Sequence, residues 1–231
     1  MRPINRGNPP VDANGKQIKF SKYEEARPEL IKRLGELCSY CEMHLDAGLA
    51  VEHIQPKNLQ EDKKLLWENF LLACVNCNST KGETDINDSN IADYLWPDVN
   101  NTFLALKYSE GGVVEVNTDQ PLAVQEKAQR LINLVGLDKN PANNSTASDR
   151  RWENRFSEWE KANRAKTRLS QTDTPQMREQ ILDTAESYFS IWMTVFSEDP
   201  TMLNALIQKF HGTATECFDR AGQAISRTSL I

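Results

Sequence analysis

No apolar run in the 231 residues approaches the roughly 18 consecutive residues that a membrane-spanning helix requires. The hydrophobic fraction of 39% and a mean hydropathy of −0.60 describe a polar, soluble chain with a limited core. The opening stretch Met1 to Pro10 carries two arginines but no apolar segment, so it does not read as a secretory leader. A basic surplus is missing as well. The net charge is −6, and it is uneven: residues 1–82 hold 12 Lys and Arg against 11 Asp and Glu, whereas residues 83–231 hold 15 against 22. A chain with this balance has weak affinity of its own for duplex DNA, which favours a partner that supplies binding surface. There is no G-x4-G-K-[ST] nucleotide loop, so any nucleotide control arrives in trans.

Cysteine is scarce, yet four of the five residues fall into two C-x2-C pairs, Cys38/Cys41 and Cys74/Cys77. Each pair can turn both thiolates onto one tetrahedral ion, and two pairs complete a structural Zn²⁺ site with no open coordination position. Paired metal-type cysteines and a lone Cys217 fit a reducing cytoplasm better than a disulfide framework. Chemistry must then come from what the zinc staples together. Between the pairs lie Glu52-His53 and Asn69, and Asn78 follows the last cysteine.

This arrangement resembles the HNH nucleases, in their HNN variant. The resemblance implies a ββα-metal unit in which His53 is the general base and Asn69 fixes the loop that carries it. Glu52 and Asn78 would hold a catalytic Mg²⁺ or Mn²⁺, Asn78 standing where the family usually has a histidine. An amide oxygen suits hard Mg²⁺ at least as well as imidazole does. Lys81 would reach an adjacent phosphate as a flexible cation, and Lys57 is a weaker candidate for the same task. More closely, Met1-Arg2-Pro3-Ile4, Cys38-Ser39-Tyr40-Cys41-Glu42, Val51-Glu52-His53-Ile54, Asn69-Phe70-Leu71-Leu72-Ala73-Cys74 and Cys77-Asn78-Ser79-Thr80-Lys81-Gly82 look like the HNH subunit of Septu-type and retron-associated anti-phage systems. That likeness implies a DNA-cleaving effector governed by an ABC/SMC-like ATPase partner. RNA, such as a transfer RNA, remains open as substrate, as does a non-catalytic zinc module that binds nucleic acid or protein.

The fold class is therefore α+β: a zinc-stapled ββα unit, a small β-hairpin extension and a mainly α-helical C-terminal region. Two domains are expected, a nuclease domain over 1–118 and a helical partner-binding domain over 119–231. Residues 1–20 read as an extended arm, in which Arg2 and Arg6 serve equally as phosphate contacts or as a solvated basic terminus. The period of Tyr23, Ala26, Leu30, Leu34 and Leu37 predicts a helix over 22–37, with Lys32 and Arg33 solvated. The Leu49-Ala50-Val51 run is too short to assign by period, and the resemblance makes it a strand that ends at Glu52-His53; residues 58–64 form a charged loop. Trp67, Phe70, Leu71 and Leu72 pack the core, and a short helix runs from Asn78 to about Glu83. Asp85, Asp88, Asp93 and Asp98 read as solvated acidic surface. Residues 102–108 and 113–116 form a hairpin, and a helix over 122–135 stops at Gly136. After a polar linker over 138–148 come four amphipathic stretches, marked by Trp152/Phe156/Trp159/Ala162, Ile181 to Phe196, Leu203 to Phe210, and Cys217 to Ile225. Cys217 reads as buried and inert, His211 as a helix-end residue, and His44 as the surface of the first cysteine pair.

Overall fold

The computed structural model describes residues 1–140 and 149–227; the predicted linker lies outside the described residues from 141 to 148. A 3-10 turn, Tyr23–Ala26, leads into α1 (Arg27–Leu34), which carries Pro28 in its first turn, where no backbone N–H is missed. Leu30 and Leu34 face inward, and the helix ends at Gly35, three residues earlier than the period suggests. Two short antiparallel strands follow, β1 (Ala50–His53) and β2 (Phe70–Ala73), with His53 opposite Phe70 and Val51 opposite Leu72. Phe70, Leu71 and Leu72 are fully buried, and Trp67 joins the same core, its indole N–H donating to the Gly7 carbonyl.

Helix α2 (Val75–Lys81) starts three residues before the predicted position. Its N-cap is Cys74, whose sulfur accepts from the Cys77 backbone N–H, so the second cysteine pair is itself the first helical turn. Together β1, β2 and α2 form the ββα core, with the four cysteines clustered beside it.

Part of the predicted hairpin is helical. Asn101 caps the Leu104 N–H and winds residues Thr102–Ala105 into one turn, α3, before β3 (Leu106–Ser109) pairs with β4 (Val113–Val116). Helix α4 (Leu122–Val135) ends where the sequence places its stop: Gly136 takes the left-handed conformation, φ 61°, that a side chain resists.

The C-terminal region is largely helical: α5 (Arg151–Gln171), α6 (Pro175–Thr184), α7 (Phe189–Val195) and α8 (Pro200–Lys209). Three expectations fail here. The buried stripe of α5 is Arg151, Arg155, Glu158, Ala162, Ala165 and Leu169, whereas Phe156 is 47% exposed. The inward charges are paired: Arg155 donates to the carbonyls of Gly112 and Leu137, and Glu158 accepts from the Trp192 indole at 2.7 Å. The stretch from Ile181 to Phe196 is two helices, broken at Tyr188, whose φ is 53°. Residues 217–225 are not a helix but a 3-10 turn and a loop, closed by a bridge between Phe218 and Ala224.

The N-terminal arm is part of the body. Met1, Arg2 and Ile4 are buried, and the Arg2 guanidinium donates to the carbonyls of His211 and Leu34, which removes it as a phosphate contact. Arg6 pairs with Asp98 at 3.0 Å, so Asp98 is a buried counter-ion and not acidic surface. Arg33 lies over the Trp67 ring and bonds the carbonyls of Arg6 and Asn8. Contacts cross the 118/119 position throughout: Ser190 donates to Glu42 through both its N–H and its hydroxyl, and Asn101 donates to the Cys217 carbonyl. Among the described residues, no helix is long and apolar enough to cross a membrane.

Candidate active site and four-cysteine centre

The four sulfurs of Cys38, Cys41, Cys74 and Cys77 are buried, unoxidised and within 4.8 Å of one another, with Cys41 and Cys74 at 3.6 Å. Tetrahedral coordination at Zn–S distances of about 2.3 Å sets sulfurs about 3.8 Å apart, so the cluster fits a structural Zn²⁺. The Ser39 N–H donates to the Leu72 carbonyl and fixes the first pair on the end of β2. Helix α5 reaches the cluster as well. The Arg151 guanidinium, 2% exposed, donates to the Cys77 sulfur at 3.0 Å and also to the carbonyls of Val135 and Gly136. Asp149 pairs with the same guanidinium at 2.6 Å.

Beside this cluster, the edge of β1, the start of α1 and the inner face of α2 enclose a cavity of about 340 Å³. Glu52, His53 and Asn78 all line it, together with Lys57, Lys81, Tyr23 and Arg27. His53 is held edge-on between the rings of Tyr23 and Phe70, and its Nε2 lies 3.0 Å from the Lys64 carbonyl. A carbonyl only accepts, so Nε2 carries the proton and the lone pair of the neutral ring falls on Nδ1. Burial holds the imidazole below its ordinary pKa of 6.5, and the charges of Lys57 and Lys81 act in the same sense against the opposing Lys64 hydrogen bond.

Glu52, also on β1, is 4% exposed. Burial raises its pKa, and nearby Lys81 opposes the shift. Lys81 Nζ stands 2.8 Å from Glu52 Oε1 in a buried ion pair. The same ammonium donates to the His53 carbonyl at 2.7 Å. Lys81 is therefore a buried strut between the two site residues, 2% exposed, and not the flexible cation that the sequence suggests. Lys57 is also committed, donating to the Tyr23 hydroxyl at 2.7 Å with its ammonium 3.9 Å above the Tyr23 ring.

Asn69 stands behind the cavity and not in it. Its amide oxygen accepts from the Gln55 N–H at 2.7 Å, and its nitrogen donates to the carbonyls of Gln55 and Lys63. One side chain thus closes the loop that begins after His53 and ends beside the Lys64 carbonyl. His44 is exposed near Glu36 and Asp46, and His211 is exposed beyond α8. Burial pushes the Cys217 thiol up to about 11, away from the reactive range.

A family model described as HNH endonuclease matches residues 38–84. An HNH endonuclease domain is present. The matched span of the HNH domain runs from the first cysteine past α2 and includes Glu52, His53, Asn69 and Asn78. A search of curated proteins found no match to the chain. Tyr23, Arg27 and Arg151 all lie outside the HNH domain, and sequence reasoning missed them as site residues. Tyr23 was visible only as an apolar helix position. Arg27 is a single basic residue and Arg151 follows Arg150, both in charged stretches with no spacing that marks them.

Proposed function

We propose that the chain is a metal-dependent endonuclease that hydrolyses phosphodiester bonds in DNA, with the HNH domain as its catalytic unit. The carrying observation is that His53, Glu52 and Asn78 line one cavity, with the imidazole proton committed to the Lys64 carbonyl. The donor set suits a hard divalent cation: a buried carboxylate on β1 and an amide on α2 that line the same cavity. Held by Glu52 and Asn78, Mg²⁺ or Mn²⁺ would supply Lewis acidity at the scissile phosphate and the departing oxygen.

The chain's own residues supply the rest. His53 takes a proton from the attacking water on Nδ1, and its lowered pKa keeps that nitrogen free at neutral pH. Lys64 fixes the tautomer through its carbonyl, and Asn69 holds the loop that presents it. Lys81 keeps Glu52 and the His53 backbone in register from beneath. The acidic helical region fits the role of a docking surface for an ATPase partner in an anti-phage complex, in line with the resemblance and the charge balance of −7 over residues 83–231. Zinc-loaded protein incubated with plasmid, with and without Mn²⁺, tests the reading. Ion-dependent cleavage that His53→Ala abolishes supports it; equal activity of the two proteins refutes it.

A further inference from the structure

The cavity is lined by three cations, and two of them are committed. Lys81 is buried between Glu52 and the His53 carbonyl, and Lys57 is tied to the hydroxyl and ring of Tyr23. The third, Arg27, opens α1 at the rim of the cavity; it is exposed, and its guanidinium makes no ion pair or hydrogen bond with the described residues. Among the described residues, its neighbours form no ion pair with it. One turn back, Glu24 makes no ion pair with Arg27, and Glu29 is taken by Arg33 at 2.8 Å and by Lys32. Glu83 lines the same cavity as a carboxylate, accepts from the Asn58 amide and makes no ion pair with Arg27. A solvated guanidinium at the mouth of a cavity that holds a base and a hard-oxygen ion site matches a phosphate oxygen, which it can bind bidentately.

We infer that Arg27 is the positioning residue that anchors a phosphate of the substrate backbone at the cavity mouth, the task that sequence assigns to Lys81 and Lys57. This inference rests on the nuclease reading. It also locates the point where the chain meets a polyanion in a region otherwise balanced in charge. An exposed side chain without partners contributes nothing to the core, so its replacement leaves the fold intact.

The test is salt-dependent binding of labelled duplex and single-stranded oligonucleotides by the full chain in the His53→Ala background, with Mn²⁺ present. One lost phosphate contact lowers the slope of log K against log[salt] by about 0.9 on duplex or about 0.7 on a single strand. Arg27→Gln is expected to show that drop and to bind about tenfold more weakly at low salt, the lower end for a charge-assisted hydrogen bond. Arg27→Lys should restore the slope, because the charge returns, while recovering only part of the affinity. An unchanged slope in Arg27→Gln, or the full drop in Lys57→Gln instead, overturns the assignment while ion-dependent cleavage by the wild-type chain stands. A chain that neither binds nor cleaves any oligonucleotide overturns the nuclease reading, and this inference with it.

Discussion

Arg151→Met removes the guanidinium that touches the four-cysteine cluster while keeping an apolar stem in its place. Four groups lose their side-chain donor outright, the Cys77 sulfur, the carbonyls of Val135 and Gly136, and Asp149 Oδ2, whereas Asp149 Oδ1 keeps the Arg151 backbone N–H. Removing one partner of a buried ion pair costs about 3–5 kcal/mol, because the other is left uncompensated. Asp149 is 12% exposed and recovers some hydration, which places the cost near 3 kcal/mol, at the lower end of that range. In a chain of this length each kcal/mol moves the melting temperature by about 2–4 °C, so a fall of about 6–12 °C is expected. Melting of the zinc-loaded protein followed by circular dichroism reads it. Zinc release to excess chelator should also quicken, because outer-shell donors stabilise the ligands they touch. Arg155→Met is the comparison: that side chain is equally buried and bonds two carbonyls, but it touches no sulfur. Faster zinc release in both variants, or a fall of under 2 °C in Arg151→Met, refutes the reasoning.

Three further outcomes follow from the same geometry. The acid limb of the cleavage–pH profile should lie below pH 6.5, since His53 is held below that value, and rate should rise with pH as the ring deprotonates; Lys57→Met should move the limb upward by removing a charge that disfavours imidazolium. On the stability side the sign agrees: the unfolded chain takes up the His53 proton first as pH falls through 6.5, so this group destabilises the fold below that pH. Asn69→Ala strips three hydrogen bonds from the loop after His53 and should cost about 2–3 kcal/mol in urea unfolding, with a lower rate and unchanged zinc content. Cys77→Ser should act differently, releasing zinc and unfolding the ββα core, as loss of far-UV circular dichroism would report.

The cysteine frame of the HNH domain is legible because its constraints are local. Two C-x2-C pairs announce a cluster and Gly136 stops a helix where a left-handed residue fits, while the strand that ends at His53 is legible only through the family resemblance. What escaped depends on partners distant in sequence. The inward face of α5 carries Arg151, Arg155 and Glu158, and no periodicity rule places charges in a core; they are buried because carbonyls, a sulfur and an indole arrive from other elements to meet them. Asp98 and Arg2 read as surface residues in the sequence for the same reason, since their partners lie far away along the chain. Lys81 shows how such an error reaches the site. Its position after Asn78 suggests a reach outward, yet the helix turns it inward onto Glu52, a carboxylate 29 residues earlier. The break at Tyr188 was hidden because an apolar stripe continues through it on both sides.

The account stands on an ion site at Glu52 and Asn78 that is separate from the thiolate cluster and does not include His53. Calorimetric titration of Mn²⁺ into zinc-loaded protein tests that most directly, using the wild type, Glu52→Gln and His53→Ala. One bound Mn²⁺ is expected in the wild type and in His53→Ala, and none in Glu52→Gln. Identical titrations for all three proteins would contradict it.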